Sequence, residues 1–153
     1  MTVIRSPKTH DSPDPSVFLA GGCAGDDWQS VVAQRLSGER LTVFNPRRPD
    51  YQKGDRAFLA EQVAWEREHL DRATVRLFWI PGDSDSVITL YELGQWANTA
   101  RPMTIGIDSA YSRREEVLAQ LELARPMMPV DSDLTMLTDR TARLILEREG
   151  VTG

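Results

Sequence analysis

Short runs of mostly apolar residues alternate along the chain with longer segments in which apolar residues recur at helical spacing. The runs end at glycine, proline or other turn residues, which is typical of strands buried on both faces; they lie at 17–20, 41–44, 75–80 and 103–107, with a weaker one at 127–130. The helically spaced segments lie at 28–36, 55–72, 86–101, 113–124 and 137–149. This pattern predicts strands and helices in regular alternation.

Such an alternation favours a parallel sheet with right-handed crossovers and helices on both faces. We therefore predict an α/β fold, a flavodoxin-like three-layer sandwich with a five-stranded parallel sheet in the order 2-1-3-4-5. In sheets of this kind, ligands bind beyond the carboxyl ends of the strands, where the strand order reverses. This rule brings three segments to one crevice: 21–27, 45–50 and 82–92.

The chain has 153 residues, which is the length of one domain. Its first sixteen residues include three prolines and several polar side chains, so we expect residues 1–15 to form a flexible arm and residues 16–150 to form a single domain. The segment carries no apolar core like that of a secretion signal, and no apolar stretch approaches the length of a membrane span. A cytoplasmic protein without membrane contact is expected.

Charge and cysteine content restrict the chemistry further. The chain has 18 basic and 23 acidic residues, a net charge of −5, which disfavours binding to polymeric nucleic acid. Cys23 is the single cysteine, and His10 and His69 are the two histidines, so a disulfide, a zinc site or a histidine-activated nucleophile is disfavoured. We therefore expect no metal and a chemistry that depends on carboxylates.

Two glutamates are the main candidates. Glu92 falls in the first turns of a predicted helix, where backbone amides favour an ionised carboxylate that could act as a nucleophile; the alternative is an ordinary acidic residue at a helix start. Glu66 shares a helical stripe with apolar residues, so it should be paired with a base such as Arg67, protonated, or directed into a cleft. One ionised and one protonated carboxyl is the combination that cleaves glycosidic bonds.

Two loops could contact a ligand. The segment 21–27 is rich in glycine and joins a strand to a helix, but it lacks the spacing of dinucleotide and triphosphate loops. Arg47 and Arg48 follow the next strand, where a guanidinium could bind a phosphate or a base edge, or simply form a solvated rim. Trp28 is either part of the core or a surface on which a nucleobase stacks.

Five segments, taken in order, resemble the nucleoside 2-deoxyribosyltransferase-like proteins of bacteria and phages, over about Val17 to Pro126. They are Phe18-Leu19-Ala20-Gly21-Gly22, Asp27-Trp28-Gln29, Val43-Phe44-Asn45-Pro46-Arg47-Arg48, Gln62-Val63-Ala64-Trp65-Glu66 and Ile88-Thr89-Leu90-Tyr91-Glu92-Leu93-Gly94.

The resemblance implies a cofactor-independent enzyme that transfers deoxyribose between nucleobases. Glu92 matches the family's nucleophile, which forms a glycosyl-enzyme intermediate, and Glu66 matches an acid that assists the departing base. Where the family has an aspartate that contacts the sugar, this chain has Ser86, with Asp85 beside it, and Asp85 is the alternative to Glu66 as the catalytic acid. The family also implies a homo-oligomer. The expected substrate contacts, for a nucleoside or nucleotide, are Gly21, Gly22, Asp27, Trp28, Asn45, Arg47, Arg48, Ser86 and Tyr91.

Two other functions stay open. One is an N-glycosidase that hydrolyses a nucleoside 5′-monophosphate to base and sugar phosphate, with Arg47 or Arg48 on the phosphate. The other is a nucleotide-binding protein with weakened catalysis, which Ser86 in place of the aspartate would favour.

Overall fold

The computed structural model describes residues 1–150. Within that range the strands are β1 (Thr2–Arg5), β2 (Ser16–Ala20), β3 (Thr42–Asn45), β4 (Val75–Ile80), β5 (Met103–Ile107) and β6 (Val130–Asp131). The helices are α1 (Trp28–Arg35), α2 (Arg56–Arg72), α3 (Val87–Ala97), α4 (Arg114–Ala124) and α5 (Leu134–Arg148). None of the helices in this range combines the length and apolar character that crossing a bilayer requires.

All neighbouring strands are parallel, in the order β1-β3-β2-β4-β5-β6. The five predicted strands correspond to β2 to β6, with the last one at Val130–Asp131 instead of 127–130, and their arrangement is the predicted 2-1-3-4-5, so the parallel α/β fold is confirmed. Strand β3 lies on one side of β2, and β4 lies on the other side, where β5 and β6 follow it. The reversal therefore falls between β2 and β4, as the ligand rule requires.

The sheet has one strand more than predicted. Residues Thr2–Arg5, expected within the N-terminal arm, pair with β3 at the edge of the sheet. Only Ile4 is buried in this strand, because an edge strand packs few of its side chains against the core. A four-residue strand with one buried side chain leaves no apolar run for sequence analysis to find.

Each face of the sheet is covered by helices. In β2, Val17 and Leu19 pack toward α1 and α5, whereas Phe18 and Ala20 pack toward α2, α3 and α4. Because helices cover both faces, β2 is buried at all five positions, and its sequence is apolar from Val17 to Ala20. The two layers hold the carboxyl ends of β2, β3 and β4 in fixed positions.

Arg76 is an exception inside the central strand β4. Its side chain is 1 % exposed, and its guanidinium donates to the carbonyl oxygens of Leu70 and Asp71 at 2.7 Å each. These carbonyls belong to the last turn of α2, where no intrahelical donor is available. The Trp96 ring lies 4.5 Å from the guanidinium. Arg76 thus satisfies the end of α2 from within the sheet, and desolvation lowers its pKa to about 10.

Candidate active site

Three loops meet at the carboxyl edge of the sheet, after β2, β3 and β4. The first loop packs closely because it contains glycine: a Cβ on Gly21 would lie 2.5 Å from the Trp28 ring and 2.6 Å from the Trp79 carbonyl oxygen. A Cβ on Gly22 would lie 3.5 Å from Ser84 Oγ, which brings the first loop against the third. The turn at Gly21 is therefore fixed by close approach.

Trp28 belongs to this packing. Its indole is 6 % exposed, and Nε1 donates to the Gly22 carbonyl oxygen at 3.0 Å. The ring packs against Gly21 of the first loop and is part of the core cluster beneath α1. The structure thus favours the core interpretation of Trp28 over a stacking surface.

Glu66 on α2 and Glu92 on α3 come together beside the first loop, each half-buried. The pKa of Glu92 is raised to about 8, first by burial and then by the charge of Glu66, while the charge of Arg67 acts in the opposite direction. Burial also raises the pKa of Glu66, and a hydrogen bond from Gln62 opposes it. Around neutral pH, Glu92 is therefore mostly protonated.

The structure differs from the sequence expectation in where that proton lies. A position at the start of a helix predicts an ionised Glu92, but Glu92 is the sixth residue of α3. The field of the helix amides acts mainly within the first turn, and so burial and the Glu66 charge dominate the pKa of Glu92. The raised pKa of Glu66 agrees with the expectation for a carboxyl on a largely apolar stripe.

Cys23 in the first loop faces the same two carboxyl groups. Its pKa is raised to about 11, first by desolvation, then by the charge of Glu66, with smaller effects from Arg47, Asp27 and Glu92. The thiol is thus protonated at neutral pH and is not a thiolate nucleophile. Because the charges of Glu66 and Glu92 both act on Cys23, the two glutamates lie near the first loop.

Arg47 organises the first loop. Its guanidinium donates to the carbonyl oxygen of Asp26 at 2.8 Å and to Gln29 Oε1 at 3.1 Å, and it lies 3.2 Å from the Asp27 carboxylate. Gln29, fully buried, in turn donates to the Gly22 carbonyl oxygen at 3.1 Å. Sequence analysis missed Gln29, although its place beside Asp27-Trp28 in the resemblance was a signal.

Arg48 is held in the second loop. Its side chain is 6 % exposed and forms ion pairs with Asp50 at 2.8 Å and Glu61 at 2.6 Å. The Phe58 ring lies 4.0 Å below the guanidinium. Together with the engagement of Arg47, these contacts leave the expected phosphate role of the arginine pair without support, because both groups are used to fix loops.

Several buried polar atoms have no hydrogen-bond partner within residues 1–150, and two of them lie in the strand end and loop that sequence analysis singled out. They are Asn45 Nδ2, at the end of β3, and Ser86 Oγ, immediately before α3. Ser86 is 4 % exposed, adopts a left-handed φ of 53°, and starts α3 without the side-chain cap seen at α2 and α5. Buried polar groups without partners are costly and rare, and they mark places where a ligand can complete the hydrogen bonding.

The remaining candidates lie toward solvent. Asp27 caps α1 by accepting from Ser30 N at 3.1 Å, and that hydrogen bond contributes to its lowered pKa. Asp85 is exposed and accepts from Val87 N at 3.4 Å; it is not among the charges that shift the pKa of Glu92. Tyr91 is 69 % exposed. The structure brings Glu66, Glu92 and the first loop together, but it leaves Asp85 and Tyr91 at the rim.

A groove of about 400 Å³ runs between α3 and α4. Its lining includes Leu90, Leu93 and Gly94, which lie on the side of α3 opposite to Glu92. A Cβ on Gly94 would meet nothing within 4 Å. The groove is therefore separate from the acid pair, and Gly94 is not required by a close approach to the site. Within residues 1–150, no group of three histidine, cysteine or acidic side chains forms a metal-ligand set.

A family model described as "Nucleoside 2-deoxyribosyltransferase like" matches residues 14–111, which include β2 to β5, the three loops and both glutamates. The chain belongs to this nucleoside 2-deoxyribosyltransferase-like family. Among solved structures, the 2-deoxyribosyltransferase of the psychrotolerant bacterium Bacillus psychrosaccharolyticus is similar in fold, with a TM-score of 0.61 and 18% identity over 84% of this chain and 95% of that chain. No curated protein matches the sequence.

Family membership connects the loops at the carboxyl edge of the sheet with the chemistry for which the family is named. The family is named for nucleoside deoxyribosyl transfer, and its matched span ends at Tyr111, before α4 and α5. The Bacillus enzyme is described as a biocatalyst for the synthesis of antiviral and antitumoral nucleosides. A nucleoside 2-deoxyribosyltransferase-like protein with two coupled carboxyl groups at the topological switch point has its candidate chemistry where the fold places ligands.

Proposed function

We propose that the protein cleaves the N-glycosidic bond of a deoxynucleoside and transfers the deoxyribose to another nucleobase through a glycosyl ester of Glu92. The observation that carries this proposal is the coupled pair of Glu66 and Glu92 beside the first loop. Family membership supports the substrate class. Nucleosides and free bases are cytoplasmic metabolites, so we place the reaction in the cytoplasm.

In the first half-reaction Glu92 passes its proton to Glu66, so that the pair supplies both a carboxylate nucleophile and an acid. A carboxylate oxygen of Glu92 forms a bond to C1′, the C1′–N bond breaks, and its electron pair goes to the base. The proton of the pair, transferred through Glu66, goes to the base nitrogen, because a neutral base is the better leaving group. The centre that develops at C1′ is cationic, and the nearby carboxylate stabilises it.

The second half-reaction restores the starting state. A nitrogen of the incoming base attacks C1′, the ester bond breaks, and its electron pair returns to Glu92. The proton lost by the incoming base goes to Glu66, so the pair again holds one proton. Nucleophile and proton both come from the chain, and the proposed reaction therefore uses no cofactor.

Ser86 favours a second function, the hydrolysis of a nucleoside 5′-monophosphate. Its buried hydroxyl has no partner within the described residues and lies at the positive end of α3, a combination suited to an anion. A carboxylate in that position would repel a phosphate, whereas a hydroxyl can donate to it. Water would then replace the incoming base.

The face beside the acid pair supports a homo-oligomer. Leu59 and Val63 on α2, and Ile88 and Tyr91 on α3, are 54 to 69 % exposed and lie on the two helices that carry Glu66 and Glu92. Exposed apolar side chains on adjacent helices indicate a protein contact. We assign this face to a second copy of the chain, in line with the association that the family resemblance implies.

One experiment distinguishes these functions. Purified protein is incubated with deoxynucleosides or their 5′-monophosphates, with and without a second base, and the products are separated by chromatography. Exchanged nucleosides support the transferase, whereas free sugar phosphate without exchange supports the hydrolase. If Ser86→Ala weakens only the monophosphate reaction, the phosphate lies at α3. Tight nucleotide binding without any base release would support the remaining alternative, a nucleotide-binding protein with weakened catalysis.

A further inference from the structure

Gln62 connects Glu66 to the second loop. It lies four residues before Glu66 on the same face of α2 and is 8 % exposed. Its amide nitrogen Nε2 donates to the Pro46 carbonyl oxygen at 2.9 Å and to Glu66 Oε1 at 2.8 Å. One side-chain nitrogen thus joins the end of β3 to one member of the acid pair.

The Pro46 contact fixes the orientation of this amide. A carboxamide can face a neighbour with its nitrogen or its oxygen, but a backbone carbonyl only accepts, so the nitrogen must face Pro46. The other hydrogen of that nitrogen then points at Glu66. Gln62 Oε1 is left buried with no partner within the described residues. Burying Gln62 Oε1 without a partner is costly, but it fixes the amide so that Gln62 can donate to Glu66 and cannot accept a hydrogen bond from it.

We propose that Gln62 is a positioning residue: by presenting only N–H to Glu66, it stabilises the carboxylate that remains after Glu66 has given its proton to the nucleobase. A buried carboxyl without such a donor would hold its proton too strongly to act as an acid at neutral pH. The catalytic part of this inference rests on the proposed function, whereas the effect on Glu66 does not.

Among the groups around Glu66 in the described part of the chain, Gln62 is the one that donates a hydrogen bond to its carboxylate. Arg67 on α2 acts on Glu92, and Cys23 in the first loop lies near both glutamates as well as near Asp27 and Arg47. The two arginines have other partners: Arg47 contacts Asp27 and loop carbonyls, and Arg67 donates to Gln95 Oε1 at 2.6 Å. The Gln62 amide is the hydrogen-bond donor that opposes the effect of burial on the pKa of Glu66.

The test is a carboxyl ¹³C NMR titration of Glu66, assigned by the resonance that Glu66→Gln removes. In Gln62→Met, which keeps the length of the side chain and loses the donor, we expect the midpoint to rise by about one pH unit. Gln120→Met, at an exposed glutamine on α4, is the matched control and should leave the midpoint in place. An unchanged or lower midpoint in folded Gln62→Met overturns the proposal.

If Gln62→Met does not fold, the wild-type protein provides the measurement. One side-chain amide proton of Gln62 should shift together with the Glu66 titration, whereas the proton held by Pro46 should not; if neither proton shifts, the proposal fails. Both measurements are independent of turnover. Where base transfer is measured, kcat of Gln62→Met should fall about tenfold with KM unchanged. A titration shift without transfer in the wild type would overturn the proposed function alone.

Discussion

Replacing Glu92 with glutamine should stabilise the protein at high pH. A pKa raised from 4.5 to about 8 corresponds to roughly 5 kcal/mol of destabilisation of the native state once the carboxyl is ionised, since one pH unit is worth about 1.4 kcal/mol. The figure is an upper value, because the native site can relax around the charge. Glu92→Gln removes the ionisable group and keeps the size of the side chain.

The pH range follows from the two pKa values. Below about 4.5 the carboxyl is protonated in both states, so it contributes nothing to the pH dependence of stability. Between about 4.5 and 8 the unfolded chain loses the proton first, and the free energy of unfolding falls as pH rises. Above about 8 the native carboxyl is ionised as well and the loss is complete. The advantage of Glu92→Gln should therefore appear between these values and stay constant above them.

Urea denaturation in a series of buffers across this range measures the effect. Glu122→Gln, which removes an exposed glutamate from α4, is the control for the change in net charge. The difference between Glu92→Gln and the wild type should grow with pH, whereas Glu122→Gln should follow the wild type. If Glu92→Gln shows the same pH dependence as the wild type, the Glu92 carboxyl is not buried beside a second charge, and the acid pair is refuted.

Three further changes test other parts of the structure. Gly21→Ala should destabilise the protein by more than about 2 kcal/mol, because its Cβ would collide with the Trp28 ring. Gly94→Ala has open space around the new Cβ and should stabilise the protein by up to ~1 kcal/mol. Equal effects of the two substitutions in thermal unfolding would contradict the packing at Gly21. Arg76→Met should cost about 2 kcal/mol in urea denaturation, because it leaves the Leu70 carbonyl without a donor and removes the shorter of two hydrogen bonds to the Asp71 carbonyl. A stability at or above the wild type would exclude this role. If the proposed homo-oligomer forms through this face, Val63→Glu should reduce it to a monomer in light scattering, and an unchanged oligomer mass would place the interface elsewhere.

The sheet could be predicted because its strands are buried on both faces. Val17, Phe18 and Leu19 are all core residues, and such continuous runs are readable without any tertiary information. Strand β1 was missed for the opposite reason: at the edge of the sheet, Ile4 alone is buried, and its pairing with β3 depends on backbone hydrogen bonds that leave no pattern in the side chains.

The site was predictable in position but not in its charges. The carboxyl-edge rule and the family segments led to Glu66, Glu92 and the Gly21 turn, which the structure brings to one edge. The contacts of Arg47 could not be inferred, since its partners include backbone carbonyls of a loop about 20 residues earlier in the chain. The pKa of Glu92 depends on burial and on a charge from another helix, neither of which one sequence specifies.

The central claim is that Glu92 carries the deoxyribose between two bases, and intact-protein mass spectrometry after rapid quenching tests it most directly. With a deoxynucleoside as donor, the account predicts a deoxyribosyl adduct that maps to the peptide containing Glu92, disappears when a second base is added, and is absent in Glu92→Gln. Base exchange by Glu92→Gln at the wild-type rate, with no adduct in either protein, would contradict it.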